Sequence, residues 1–136
     1  MRSFIAISSI LMSCTSSFAL AQSNWVFIAE NKQGSSTWEF QPGSLEFSKT
    51  RGGINIAVVT GRVTNKSTSQ VDLNKWYVSA NDCDKKMGQL VALNISGDFK
   101  HENDFVFGSG NIATALAEAI CDAANYRMNE NKKKGI

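Results

Sequence analysis

The chain has one histidine, one proline and three cysteines in its 136 residues. A zinc site wants two or more histidine or cysteine ligands together, and His101 with scattered cysteines does not supply them. No Gly-x-Ser-x-Gly is present, which removes the nucleophile elbow. No P-loop or dinucleotide fingerprint occurs, and no pair of carboxylates stands out for glycosidase chemistry. Repeats and low-complexity stretches are missing too. Charge of one sign is also scarce: Lys and Arg number 14, Asp and Glu 12, for a formal charge of +2. Three of those lysines, Lys132, Lys133 and Lys134, sit together near the C-terminus. A body so close to neutral argues against a nucleic-acid binder, which needs a basic face to neutralise phosphates.

What is present begins with an export signal. Met1-Arg2 is a short positive segment, Ser3 to Met12 an apolar stretch too short to span a bilayer, and Ala19-Leu20-Ala21 a small-residue cleavage site. Residues 1–21 are therefore expected to be a cleaved signal peptide. The alternative is a lipoprotein: Leu11-Met12-Ser13-Cys14 is a passable lipobox that would anchor the chain at Cys14, although Met is a poor central residue. Beyond this segment there is no hydrophobic stretch of membrane-spanning length. Removing residues 1–21 of the 136 leaves 115, enough for one domain and one core. The expected division is a single domain over 22–128 followed by a basic tail over 129–136, read as solvated. The expected location is the periplasm, the exterior or the cell surface.

Cleavage also removes Cys14 and leaves Cys83 and Cys121. In an oxidising compartment these two allow a single intramolecular disulfide. Cys83 lies in the polar turn Asn81-Asp82-Cys83-Asp84. Cys121 lies within a helical pattern, about 140° from the centre of its apolar stripe, so a place on the helix flank is expected.

Short apolar and alternating runs predict strands at Trp25–Ala29 (buried), Thr37–Phe40, Ser44–Ser48, Ile54–Thr64, Val71–Ala80, Gln89–Ser96 and Phe105–Phe107. Pro42-Gly43 and Gly52-Gly53 punctuate them. Ile54, Ile56 and Val58 share one face of their strand, and Val91, Leu93 and Ile95 are expected to point inward from theirs. Gly61 suggests a bulge or a close approach by another backbone. Val71, Leu73 and Tyr77 share a face that Lys75 interrupts, which fits either a bulge at Lys75 or burial on both sides of Trp76. From Ile112 the period becomes helical, with Ile112, Leu116, Ala119, Ile120 and Ala123 in one stripe and Asn111 as N-cap. The fold class is α+β: an antiparallel β meander of about six strands, one C-terminal α-helix packed on one face, and one disulfide.

Candidate sites are few. Asp98 to Asp104 with His101 can be drawn as an acid–base or metal cluster, but reads as a solvated loop. Gly108-Ser109-Gly110-Asn111 can hold an anion at a helix start, or simply connect strand to helix. Trp38 and Trp76 are the candidate partner-binding residues if exposed. The competing reading places them in the core, where Trp25 is also expected. No catalytic, metal or cofactor-binding residue is assigned, and no enzyme activity is expected.

Several segments together resemble the surface-adhesin protein E family of secreted and surface proteobacterial domains. They are Trp25-Val26, Trp38 to Leu45 with its Pro-Gly-Ser turn, Trp76-Tyr77 leading to Asp82-Cys83, and a helix reaching Cys121. The resemblance spans most of the chain after residue 21. It departs in the extension from Cys121 to Ile136 and in the alanine-rich helix. It implies a meander-plus-helix fold with a disulfide from a turn to the helix, and a protein partner such as a host matrix or serum protein. No binding residue carries over. The expectation is thus an exported, non-enzymatic binding module for a host or envelope protein, and the alternative is a periplasmic inhibitor or immunity protein that occludes an enzyme.

Overall fold

A computed structural model of the chain describes residues 24–134. The signal peptide expected over 1–21 and its alternative, a lipobox at Cys14, lie outside the described residues. Seven strands and two helices follow one another: β1 (Val26–Glu30), β2 (Ser36–Phe40), β3 (Glu46–Lys49), β4 (Asn55–Asn65), β5 (Gln70–Ser79), α1 (Ala80–Lys85), β6 (Met87–Asn94), β7 (Phe99–Val106) and α2 (Ile112–Lys133). The strands form one antiparallel sheet in the order β1-β2-β4-β5-β6-β7, with β3 also paired to β4. The α+β architecture read from the sequence is therefore the one observed.

β4 carries the sheet because its β-branched run is long enough to pair along its whole length. One side pairs with β5 from Ile56–Ser79 to Asn65–Gln70 without a register break. The other side takes β2 over its second half and β3 over its first. Pro42-Gly43 separates β2 from β3, and side chains bridge the gap. Ser44 Oγ accepts from the Thr60 amide at 3.0 Å and donates to the Thr60 carbonyl at 3.2 Å. The Gln41 amide donates to that carbonyl at 2.8 Å. A hydroxyl thus satisfies main-chain groups that the interrupted ladder would leave open.

The core lies between one face of this sheet and α2. The sheet contributes Phe40, Ala57, Val59, Trp76, Val78, Leu90, Ala92 and Phe105, and the helix Leu116, Ala117, Ile120, Cys121 and Ala124. Side chains such as Phe105, Leu116 and Ile120, at 1%, 2% and 0% exposed, each contribute about 1.5–3 kcal/mol through burial. Small residues set the approach distance. Ala57, Ala92 and Ala117 let the helix settle on the sheet, and Gly61 marks a close approach. A Cβ there would collide with the Glu39 carbonyl and the Trp76 ring. Gly61 pairs in regular register with Phe40 and Asn74, so the close approach, not a bulge, is why glycine occupies it.

The inward faces left open for β4 and β5 are settled, and the one expected for β6 is reversed. The face of β4 toward the helix holds Ala57, Val59 and Gly61, while Val58 points away beside Tyr77. In β5 the inward row is Asn74, Trp76 and Val78, so burial around Trp76, not a bulge at Lys75, interrupts the alternation. In β6 the inward residues are Leu90 and Ala92, and Ile95 is exposed in the following turn. The run read as a buried strand at the N-terminus is a short edge strand, with Val26 and Phe27 48% and 57% exposed. Trp25 is half-buried before it. Residues Asp98 to Asp104 mostly form β7, since an edge strand needs only main-chain pairing on one side and its charged side chains guard the other.

The helices also differ in detail. Asn81 to Asp84 belong to α1, whose start is capped by Ser79 Oγ accepting from the Asp82 amide at 3.0 Å. Lys86, with φ of 61°, ends it. Asn111 caps α2 as expected, its side chain accepting from the Thr114 amide at 2.7 Å. The helix continues through Lys133, so residues 129–133, expected in a separate tail, are its last turns.

Cys83 of α1 and Cys121 of α2 form the disulfide, with Cα atoms 5.6 Å apart. Cys121 is 2% exposed, inside the core and not on the flank. The buried stripe runs through Ala117, Ile120, Cys121 and Ala124, and leaves Ala123 exposed. Alanines surround so much of this helix that the sequence pattern set the stripe's phase poorly. Contact with α1 and the sheet sets it instead.

Candidate functional site

Helix α2 covers one face of the sheet; on the opposite face Ile56 and Val91 are buried at the end where Asn81 and Asp82 of α1 lie, and the rest is not covered by α2. Antiparallel pairing places residues from successive strands side by side in rows across this open face. One row is Val58, Tyr77, Val91 and Glu102; the next is Thr60, Lys75, Leu93 and Phe99. A third is Phe27, Glu39, Arg62 and Leu73, and a fourth Thr37, Thr64 and Val71. Phe27, Val71, Leu73 and Phe99 are between 47% and 63% exposed. Val91 is buried within it, so the face combines a buried centre at its β6 end with half-exposed apolar side chains interleaved with charges.

Trp25 meets this face at its β1 edge. The Arg62 guanidinium lies 4.5 Å from the Trp25 ring centroid and donates through Nε to Glu39 Oε1 at 3.0 Å. A guanidinium held on an indole and on a carboxylate at once is fixed in direction. It gives this corner a rigid aromatic and polar surface on an otherwise aliphatic face.

The tryptophans singled out from the sequence lie elsewhere. Trp76 is 3% exposed, 5.7 Å from the Phe40 ring, and packed under α2. It belongs to the core, so its place as a protein-partner candidate is corrected: its strand neighbours and the helix bury the indole. Trp38 also points to the helix side, half-buried against the core. Neither tryptophan reaches the open face. The signal for that face was the Val71, Leu73 and Tyr77 alternation, which marks a half-apolar face without saying whether the helix covers it.

His101 projects from β7 and has Asn103 Nδ2 as a hydrogen-bond neighbour at 3.2 Å from its Nδ1. Among the described residues no group of three or more His, Cys, Asp or Glu is placed to hold a metal ion. The Gly108 to Asn111 segment is engaged within the fold. The Gly108 amide donates to Glu118 Oε1 at 2.9 Å, and Ser109 Oγ lies 2.6 Å from Thr114 Oγ1. Thr114 is 1% exposed, and its hydroxyl also donates to the Val106 carbonyl at 3.1 Å. These bonds tie the start of α2 to the end of β7, as the connecting role requires.

No helix among the described residues is long and apolar enough to cross a membrane. No family model matches the chain, and no curated protein or solved structure is significantly similar to it.

Proposed function

We propose that this protein is an exported, non-enzymatic binding module that engages a protein partner through the open face of its sheet. The observation that carries the proposal is the exposure of Phe27, Val71, Leu73 and Phe99 on a face that α2 leaves bare. Half-exposed apolar side chains sharing one face with charged ones offer both the apolar and the polar contacts of a protein–protein surface. The Cys83–Cys121 disulfide supports export, because such bonds persist in oxidising compartments. The resemblance to the surface-adhesin protein E family supports a host matrix or serum protein as partner and a surface or secreted location.

The test is binding of the oxidised domain to immobilised matrix and serum proteins, with Leu73→Asp and Val71→Asp as probes. Both positions are half-exposed, so the variants should fold with stability within about 0.5 kcal/mol of the parent. Saturable binding that either variant weakens strongly is the expected result. Binding that both variants retain would remove the open face from the proposal. Failure across the whole panel, with capture of an envelope enzyme through the same face, would favour the inhibitor reading.

A further inference from the structure

On the helix side, a cleft of about 570 Å³ opens between the start of α2 and the strand ends. Its polar wall includes Asp72, Asn74, Lys100, His101 and Asn103, and Trp38 lines it beside an apolar floor. That volume lies within the range of about 300–1,000 Å³ common for small-ligand sites. Three features of the wall look built for something other than stability.

First, Asn74 is 5% exposed, at a position in β5 where its inward neighbours are Trp76 and Val78. An amide in that row must be desolvated, and an aliphatic side chain there would avoid the penalty. Second, Lys100 is the extra residue of a bulge: the β6–β7 register runs Ala92 to His101 and then Leu93 to Phe99. The bulge re-aims its side chain, which crosses to donate from Nζ to Asn74 Oδ1 at 2.8 Å. A lysine on an exposed edge strand is thereby drawn into the cleft. Third, that bond uses only the oxygen of Asn74. The amide nitrogen takes no partner among the described residues, and no sealed side-chain polar atom lacks one. The nitrogen therefore opens onto the cleft as a donor.

The wall mixes signs and roles. Lys100 and the Asn74 nitrogen donate, the Asp72 carboxylate accepts, and Asn103 does both. A site for an isolated anion would not place Asp72 and Asp104 beside the lysine. Ligand hydroxyls, which donate and accept, match the mixture. An apolar ring face matches Trp38 and the floor formed by Ile112 and Leu116. We infer that this cleft binds a short, uncharged saccharide, with a pyranose ring against Trp38 and its hydroxyls on Asp72, Asn74 and Lys100. This site is separate from the open sheet face and does not depend on a protein partner there.

Amide and indole NMR spectra of the oxidised domain, titrated with the methyl glycosides of glucose, galactose, mannose and N-acetylglucosamine and with their β-linked disaccharides, test it. Saturable shifts at the Trp38 indole and at Asn74, Lys100 and Asn103 are expected from at least one sugar. Lys100→Met, on an exposed strand, and Asn74→Val, which keeps the core filled, should each weaken that binding roughly tenfold or more. The proposal is overturned if no sugar gives saturable shifts up to about 10 mM. It is also overturned if inorganic phosphate binds the cleft and no sugar does, or if both folded variants bind as the parent does.

Discussion

Opening the Cys83–Cys121 bond is the perturbation whose size the structure defines best. The bond closes a chain separation of 38 residues, joins the short α1 to the middle of α2, and spans Cα atoms 5.6 Å apart. That separation lies at the common value for disulfides, so the native state gains little by losing the link. The effect then falls on the unfolded chain, where chain-entropy reasoning for such a loop gives about 4 kcal/mol. A domain of this size has about 5–15 kcal/mol in total, so the bond accounts for a large share. Far-UV circular dichroism during urea unfolding, with and without reductant, measures it. With a slope of about 1–3 kcal/mol/M, the midpoint should fall by about 1–4 M on reduction. The double variant Cys83→Ser, Cys121→Ala should fall further, since Cys121 is 2% exposed and its truncation leaves a gap in the core. A loss under about 1 kcal/mol on full reduction would refute the loop-closure reasoning. Two free thiols titrated in the native oxidised protein would refute the bond itself.

Other expected outcomes follow from single contacts. Gly61→Ala places a methyl group against the Glu39 carbonyl and the Trp76 ring, and should lower stability by about 1–3 kcal/mol in thermal unfolding. Asn111→Ala removes the acceptor of the Thr114 amide and should cost about 1 kcal/mol, read by urea unfolding. Thr114→Val keeps the volume but strips the hydroxyl that bonds to Val106 and Ser109. A loss of about 1–3 kcal/mol is expected, with faster amide exchange at the end of β7. Arg62→Ala releases Trp25 and Glu39 together and should shift tryptophan emission to the red with a stability loss near 1 kcal/mol.

The open face and the cleft were legible to different degrees. Val71, Leu73 and Tyr77 were visible as one face of a strand, yet they were not legible as the uncovered one. His101 and Lys100 were visible as polar residues in a stretch read as a loop. Only the pairing of β7 with β6, and the bulge at Lys100, turned that stretch toward Asn74. Asn74 itself carried no signal, because an asparagine between Leu73 and Lys75 looks like any exposed position until its spatial neighbours are known.

By itself the sequence determined the strand-rich order with one C-terminal helix, the cap at Asn111 and the pairing of Cys83 with Cys121. These depend on local chemistry: β-branched runs, an amide side chain at a helix start, and two cysteines among the residues that follow the apolar N-terminal stretch. Tertiary structure alone decided which face of each strand is inside. The period of two divides a strand into two sets, and here both sets in β4, β5 and β6 carry apolar side chains. The helix packs on the set that mixes Ala57 and Ala92 with Phe40, Trp76, Leu90 and Phe105, and brings its own Ala117 against them. Val71, Leu73 and Phe99, on the other set, were left facing solvent. The same choice buried Trp76 and Cys121, left Trp38 at the cleft, and put the apolar open face where a partner can reach it.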